Sequence, residues 1–147
     1  QAFKSINRNS ATFISRGDDS GTHKMEVKLW DLSNFNPEDF GDWYKSVGSG
    51  MGASLNISAS IGAYILSDRA SWLNFKNKSD LEILFSDDKL LLNQYSFIPI
   101  NPIRHDHVEF KLAEELENWL TSDTAKSLIN GYEIGGQALF KFNAKQE

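Results

Sequence analysis

Apolar and polar positions along this chain fall alternately into short strand-like runs and helix-like spacings. Phe13-Ile14 is a brief apolar run that stops at Ser15-Arg16-Gly17, and beyond Ser20-Gly21-Thr22 the residues Met25, Leu29 and Leu32 recur at helical intervals. The pattern predicts a helix end over 1–7, a turn at 8–11, a strand at about 12–15 and a helix at about 21–32. Pro37 ends that helix, because it cannot continue one and disfavours helical backbone at Asn36. Residues 38–46, with Trp43 and Tyr44, predict another short helix; Val47 to Gly52 is a glycine-rich loop, followed by a small-residue helix to about Ala63. Tyr64-Ile65-Leu66 reads as a buried strand, and Ser67-Asp68 as the cap of a short helix through Leu73. Leu81 to Phe85 predicts a strand, and Leu90 to Ile100 a long extended stretch with Pro99 at an edge or strand end. From about Asp106 the period turns helical again, with Val108, Leu112, Leu116, Trp119 and Leu120 on one face. A second helix at about 123–130 follows, stopped by Gly131, and Gly135 to Phe140 is a loop or short strand. Strands alternating with helices define an α/β layer architecture. Met25, Leu29, Leu32, the four tryptophans and Leu90 to Leu92 read as core.

Composition narrows the function. A chain of 147 residues, 40% hydrophobic, can fill a core as one domain. Its net charge of −5 argues against nucleic acid or an anionic membrane surface as partner, so any bound anion must be held locally against the overall field. The absence of cysteine removes disulfides and thiolate metal sites. No apolar run approaches the roughly 18 residues of a membrane span, so direct membrane insertion is not expected. Gln1 to Ile6 reads as the tail of a helix, as in a mature product or a fragment.

The candidate chemistry lies between Phe13 and Glu26. A helix beginning at Ser20-Gly21-Thr22 leaves its first N–H groups without intrahelical partners, and the macrodipole adds partial positive charge there. Arg16 supplies a planar cation, and Ser20 and Thr22 supply hydroxyls. Neither Ser20 nor Thr22 has the Glu or Gln of a capping box three residues on, so the first-turn N–H groups are expected to be free for a ligand. Asp18 and Asp19 either hold the Arg16 guanidinium or stand in the pocket as acceptors. An inward carboxylate favours a protonated phosphate; two outward ones favour a dianion that offers only acceptors, such as tungstate, molybdate or sulfate.

The run Ser-Arg-Gly-Asp-Asp-Ser-Gly-Thr-His-Lys at 15–24 closely resembles the motif of tungstate-binding solute receptors of ABC importers, in the type II periplasmic-binding-protein superfamily. The resemblance continues through Trp43-Tyr44, Gly50-Met51-Gly52, Leu55, Ala63-Tyr64, Leu66, Asp68-Arg69, Asn93-Gln94-Tyr95, Asn101-Pro102 and Trp119-Leu120, and so covers most of the chain. It implies a periplasmic-binding-protein-like lobe with a central mixed sheet flanked by helices. Two such lobes close on a bare oxyanion, tungstate or molybdate, for delivery to a membrane permease outside the cytoplasm. By position, the oxyanion-binding roles fall on Arg16, Ser20, Gly21 and Thr22, with Ser15 adding its hydroxyl and Asp18, Asp19 and His23 supporting them. No cofactor, no metal and no catalysis are implied. The family's first lobe, with its Thr- and Ser-rich loop, has no counterpart before Phe13. Residues of about 10–92 are therefore expected to form the second lobe, and about 93–147 a hinge strand and return helices, leaving half a binding site.

Other readings remain. Phosphate receptors of the same superfamily share a looser Arg-x-Asp-x-Ser-Gly-Thr pattern. A hydrolase would use Ser20 with His23 as base and Asp18 or Asp19 as orienter. A ligand-sensing regulatory domain would use the same two lobes. His105-Asp106-His107 lacks a third metal ligand in sequence and reads as a solvated loop. Arg16-Gly17-Asp18 spells an adhesion tripeptide inside the anion motif, and Asn56 and Asn77 fit the glycosylation pattern.

Overall fold

A computed structural model of the chain describes residues 1–144. The chain divides into two compact units, Gln1–Leu92 and the remainder from Asn93.

The first unit is built on β1 (Phe13–Ser15), all three residues of which are buried. It is preceded by α1 (Ala2–Arg8) and followed by α2 (Gly21–Leu32), β2 (Tyr44–Ser46), α3 (Met51–Ile61), β3 (Tyr64–Ile65) and α4 (Arg69–Asn74). β1 is central, in the order β2-β1-β3, and pairs in parallel with both neighbours, Phe13 opposite Tyr44 and Tyr64. Parallel pairing follows from the connections: α2 carries the chain from β1 to β2 and α3 from β2 to β3, and each returns it to the same end of the sheet. The expected α/β architecture with helices flanking a sheet is present. Among the described residues this sheet is parallel rather than mixed, and antiparallel pairing occurs in a separate hairpin of the second unit.

Trp30 on α2, fully buried, organises the core. Phe3 of α1, Phe40 and Phe13 place their rings edge-on to it at centroid distances of 4.4, 4.9 and 5.3 Å, an arrangement that suits the ring quadrupoles. On α3, Ser54 and Ser58 are buried beside Met51 and Leu55, and their hydroxyls bond back to Gly50 and Ser54 carbonyls at 3.2 and 2.9 Å. A satisfied small side chain lets this helix lie close on β1 without stranding a polar group. Gly62, at φ +63, caps it in the left-handed conformation.

In the second unit, α5 (Phe110–Leu120) leads through Ser122, whose hydroxyl accepts from the Ala125 N–H at 3.2 Å, into α6 (Asp123–Asn130). A two-stranded hairpin, β4 (Glu133–Ile134) and β5 (Gln137–Ala138), turns at Gly135-Gly136, both at positive φ as its tight turn demands.

Several expectations give way. The stretch at 38–46 is not a helix: a 3-10 turn covers Pro37–Asp39, and Tyr44–Ser46 is β2, recruited by the β1 edge. Leu81 to Phe85 and Leu90 to Ile100 form no strand, since no ladder partner runs beside them among the described residues; Asp88 instead caps a 3-10 turn at Lys89–Leu91. Leu90 and Leu92 are exposed, as are Leu32 on α2 and Leu112, Leu116 and Trp119 on α5. The core therefore draws on Leu29 and Trp30 but not on these. Tyr64, expected to be buried, is exposed in β3.

Candidate functional site

β1 ends at Ser15, and Arg16 to Ser20 turn the chain into the N-terminus of α2. Gly17 sits at φ +57, and a Cβ there would lie 1.9 Å from the Ser46 hydroxyl oxygen, so the turn requires a residue without a side chain against the end of β2. The loop after β2 is tied to it: the Val47 N–H donates to the Ser15 carbonyl at 3.1 Å and the Ser49 N–H to that of Arg16 at 3.0 Å.

Asp18 braces the turn from within. Its Oδ2 lies 2.5 Å from an Arg16 guanidinium nitrogen, and its Oδ1 accepts from the Ser20 N–H at 3.2 Å. The Ser20 hydroxyl beside it, with Arg16 and the Ser20 N–H, holds its carboxyl down at about 2. Asp19 takes a left-handed backbone, φ +58, which Asp tolerates better than most residues. Its N–H donates to His23 Nδ1 at 3.1 Å, and its carboxylate reaches out to Lys24 at 3.4 Å.

Ser20 is the N-cap, its hydroxyl oxygen accepting from the His23 N–H at 3.3 Å. That corrects the expectation of wholly free first-turn donors: Ser20 takes one itself, with no capping box. Among the described residues, the Gly21 and Thr22 N–H groups meet no acceptor. The Arg16 Nε is buried and has no hydrogen-bond partner among the described residues.

The turn thus brings Arg16, Ser20, Gly21 and Thr22 together, with Asp18, Asp19 and His23 bracing them. Ser15 precedes that group as the last residue of β1. It is fully buried, and its hydroxyl sits near the Glu26 carboxyl and the Tyr44 phenol, influencing both titrations without forming a hydrogen bond of good geometry. Ser20 and His23 do not form a nucleophile–base pair: the His23 Nδ1 is occupied by the Asp19 N–H, and the contact to Ser20 comes from the His23 backbone. His105 and His107 are exposed, with ring centroids 6.1 Å apart.

Glu26 escaped the sequence reading altogether. It is 2% exposed, and its Oε1 accepts from Trp30 Nε1 at 3.0 Å and from the Tyr44 hydroxyl at 2.8 Å. Burial raises its carboxyl above the ordinary range against the pull of these donors, and burial likewise raises the Tyr44 phenol. The available signal was its place on the helix face that also carries Leu29 and Trp30, three and four residues on.

The strand-to-helix turn from Arg16 to Thr22 thus carries a guanidinium, two hydroxyls and the two N–H groups that open α2. The chain belongs to the PBP superfamily, a profile of whose domain matches residues 1–124. It is 42% identical over 145 residues to the tungstate-binding protein TupA of Peptoclostridium acidaminophilum, covering 97% of this chain and 50% of that protein. It is 34% identical over 149 residues to TupA of Campylobacter jejuni, covering 99% and 55%. Among solved structures, the tungstate-binding protein TupA from Desulfovibrio alaskensis superposes with a TM-score of 0.86 at 39% identity, over 98% of this chain and 59% of that one. The chain therefore spans about half the length of the relatives it matches.

Proposed function

We propose that this chain carries one half of the ligand site of an oxyanion receptor serving an ABC importer, with tungstate as ligand and molybdate next in order. In this reading residues of about 10–92 act as the second lobe, and the stretch from about 93 acts as hinge and return segment. The Gly21 and Thr22 N–H groups, the Ser20 and Thr22 hydroxyls and the Arg16 guanidinium converge on the anion, and the other lobe supplies the remaining donors. Roughly six to ten such contacts, each hydrogen bond to a charged group contributing about 1.5–3 kcal/mol, suffice for tight binding after the cost of association. The work is binding without catalysis, outside the cytoplasm, with delivery to a membrane permease.

The observation that carries the choice of anion is the engagement of both aspartates. Asp18 spends both oxygens inside the turn, and Asp19 turns outward to Lys24, so neither stands as an open acceptor for a protonated phosphate. A dianion with acceptors only is the matching guest. The names of the two TupA relatives point the same way.

Isothermal titration of the full-length gene product with tungstate, molybdate, sulfate and phosphate tests this. Tungstate is expected to bind most tightly and Arg16→Ala to abolish binding while leaving the fold intact. Tight phosphate binding without tungstate binding would replace the ligand, and micromolar affinity retained in Arg16→Ala would move the anchor elsewhere.

A further inference from the structure

The Asp19 N–H points at His23 Nδ1 from 3.1 Å, in a turn where Asp19 already holds a left-handed backbone at φ +58. A donor can face that nitrogen only while it carries no proton, so this contact requires an imidazole with Nδ1 free of hydrogen. We propose that His23 is a positioning residue whose Nδ1 holds the Arg16–Ser20 turn in the form that binds the oxyanion, and that protonating the imidazole opens the turn and weakens binding.

The sign is what makes this more than charge complementarity. A cationic imidazole near a dianion would, by charge alone, strengthen binding as pH falls. The geometry demands the reverse, because a proton on Nδ1 sets two donors against each other and releases Asp19. That residue then loses the one side-chain contact that fixes its N–H, and the step from Asp18 to the Ser20 N-cap goes with it.

The charged and titratable groups around His23 come from three elements. The turn contributes Asp18, Asp19 and Arg16, with Asp18 and Arg16 paired to each other. α2 contributes Lys24, which pairs with Asp19, and Glu26, whose carboxyl interacts electrostatically with the imidazole. β2 contributes Tyr44, which donates to Glu26. Of these groups, the Asp19 N–H is the one that faces Nδ1 directly. The inference rests on the receptor reading for its ligand but not for its structural part.

Two readouts on the full-length gene product separate the two. Tungstate affinity is measured at micromolar tungstate from pH 8 to pH 6, where the anion stays fully ionised, and the Asp19 amide is followed by NMR hydrogen exchange over the same range. The expected result is affinity falling by up to about tenfold per pH unit once the imidazole titrates, as linkage to one proton requires, with Asp19 protection lost in step. His23→Asn, whose Oδ1 can take the place of Nδ1, should keep near-native affinity and lose the pH dependence. His23→Leu should bind at least about tenfold more weakly at every pH. Binding that strengthens or stays level on acidification, or Asp19 protection indifferent to pH and to His23→Leu, would overturn the inference. Absence of tungstate binding at pH 8 would sink the receptor reading instead, and the Asp19 amide would still decide whether His23 holds the turn.

Discussion

The Tyr44 hydroxyl donates to the Glu26 carboxyl at 2.8 Å, linking β2 to α2 across 18 residues of sequence, on the same oxygen that accepts from Trp30 Nε1. Two donors converge on an acid that is almost wholly buried, and burial still wins, raising the carboxyl above its ordinary 4.5. An acid whose pKa is raised by folding holds its proton in the native state when the unfolded chain has already released it. Its contribution therefore favours the fold below about 4.5 and declines as pH climbs from there through the raised value.

Replacing that acid separates charge from hydrogen bonding. Glu26→Gln keeps an acceptor for Trp30 and Tyr44 and is expected to flatten the decline in stability above about pH 4.5, read by urea unfolding across pH. Glu26→Leu strands both donors, and each buried unsatisfied group costs roughly 1–3 kcal/mol, so it should lower the urea midpoint sharply at every pH. Equal stability of the Gln and Leu variants at pH 5 would show that the two hydrogen bonds contribute nothing.

Arg16 offers a test of shape rather than charge. Its Nε is buried and unpartnered, while a terminal nitrogen is paired with Asp18, so the side chain sits here as a planar, multi-donor group and not as a point charge. Arg16→Lys retains the charge and loses the fork. Affinity for tungstate is expected to drop by about tenfold or more, corresponding to one lost hydrogen bond to a charged group of roughly 1.5–3 kcal/mol. A lysine variant within twofold of the parent in calorimetric titration would show that the charge alone suffices.

Asp18 stays ionised far into acid. Its carboxyl is depressed from 3.8 to about 2, with the Ser20 hydroxyl as the largest cause and Arg16 behind it. A depressed acid contributes stability above its unfolded value, and that contribution disappears as pH falls from about 3.8 through about 2. The side-chain carboxyl shift in NMR should accordingly titrate near 2, and Ser20→Ala should move the midpoint upward by more than Arg16→Lys does. The opposite order would assign the depression mainly to the guanidinium.

How much of this was legible in the chain depends on how local the cause is. The helix at 21–32 and the turn before it matched the pattern because Ser20, the positive-φ glycine at 17 and the apolar spacing at Leu29 all act within a few residues. β2 was missed because Tyr44-Lys45-Ser46 is three residues long and becomes a strand only by pairing with Phe13 to Ser15. Glu26 was missed because a charged residue on a helix reads as surface, and the Tyr44 donor that helps to bury it is far away in sequence. Leu81 to Phe85 failed in the other direction: strand-forming composition yields no strand without a neighbouring edge to complete the ladder. The α5 face illustrates the same point for helices, since its apolar spacing fixed the helix while Leu112, Leu116 and Trp119 stay exposed.

Gly17 joins the fold to the site, and its replacement should affect the two unequally. An alanine there meets strain at φ +57 and a clash with Ser46, whose hydroxyl oxygen lies 1.9 Å and whose Cβ lies 3.2 Å from the new methyl. The hydroxyl can rotate away, so the persistent terms are the backbone strain and the tight Cβ contact, together about 1–3 kcal/mol of stability. Most of the core lies beyond the turn, around Trp30, and Gly17→Ala should therefore still fold, with a lowered urea midpoint. Binding has less tolerance, because Arg16 and the Ser20 N-cap hang from the same few backbone angles. Tungstate affinity is expected to fall by more than tenfold in Gly17→Ala, and the added change Ser46→Gly, which removes both clashing atoms, should recover part of the stability but little of the affinity. Full recovery of affinity in the double variant would show that the steric contact, rather than the left-handed backbone, sets the turn.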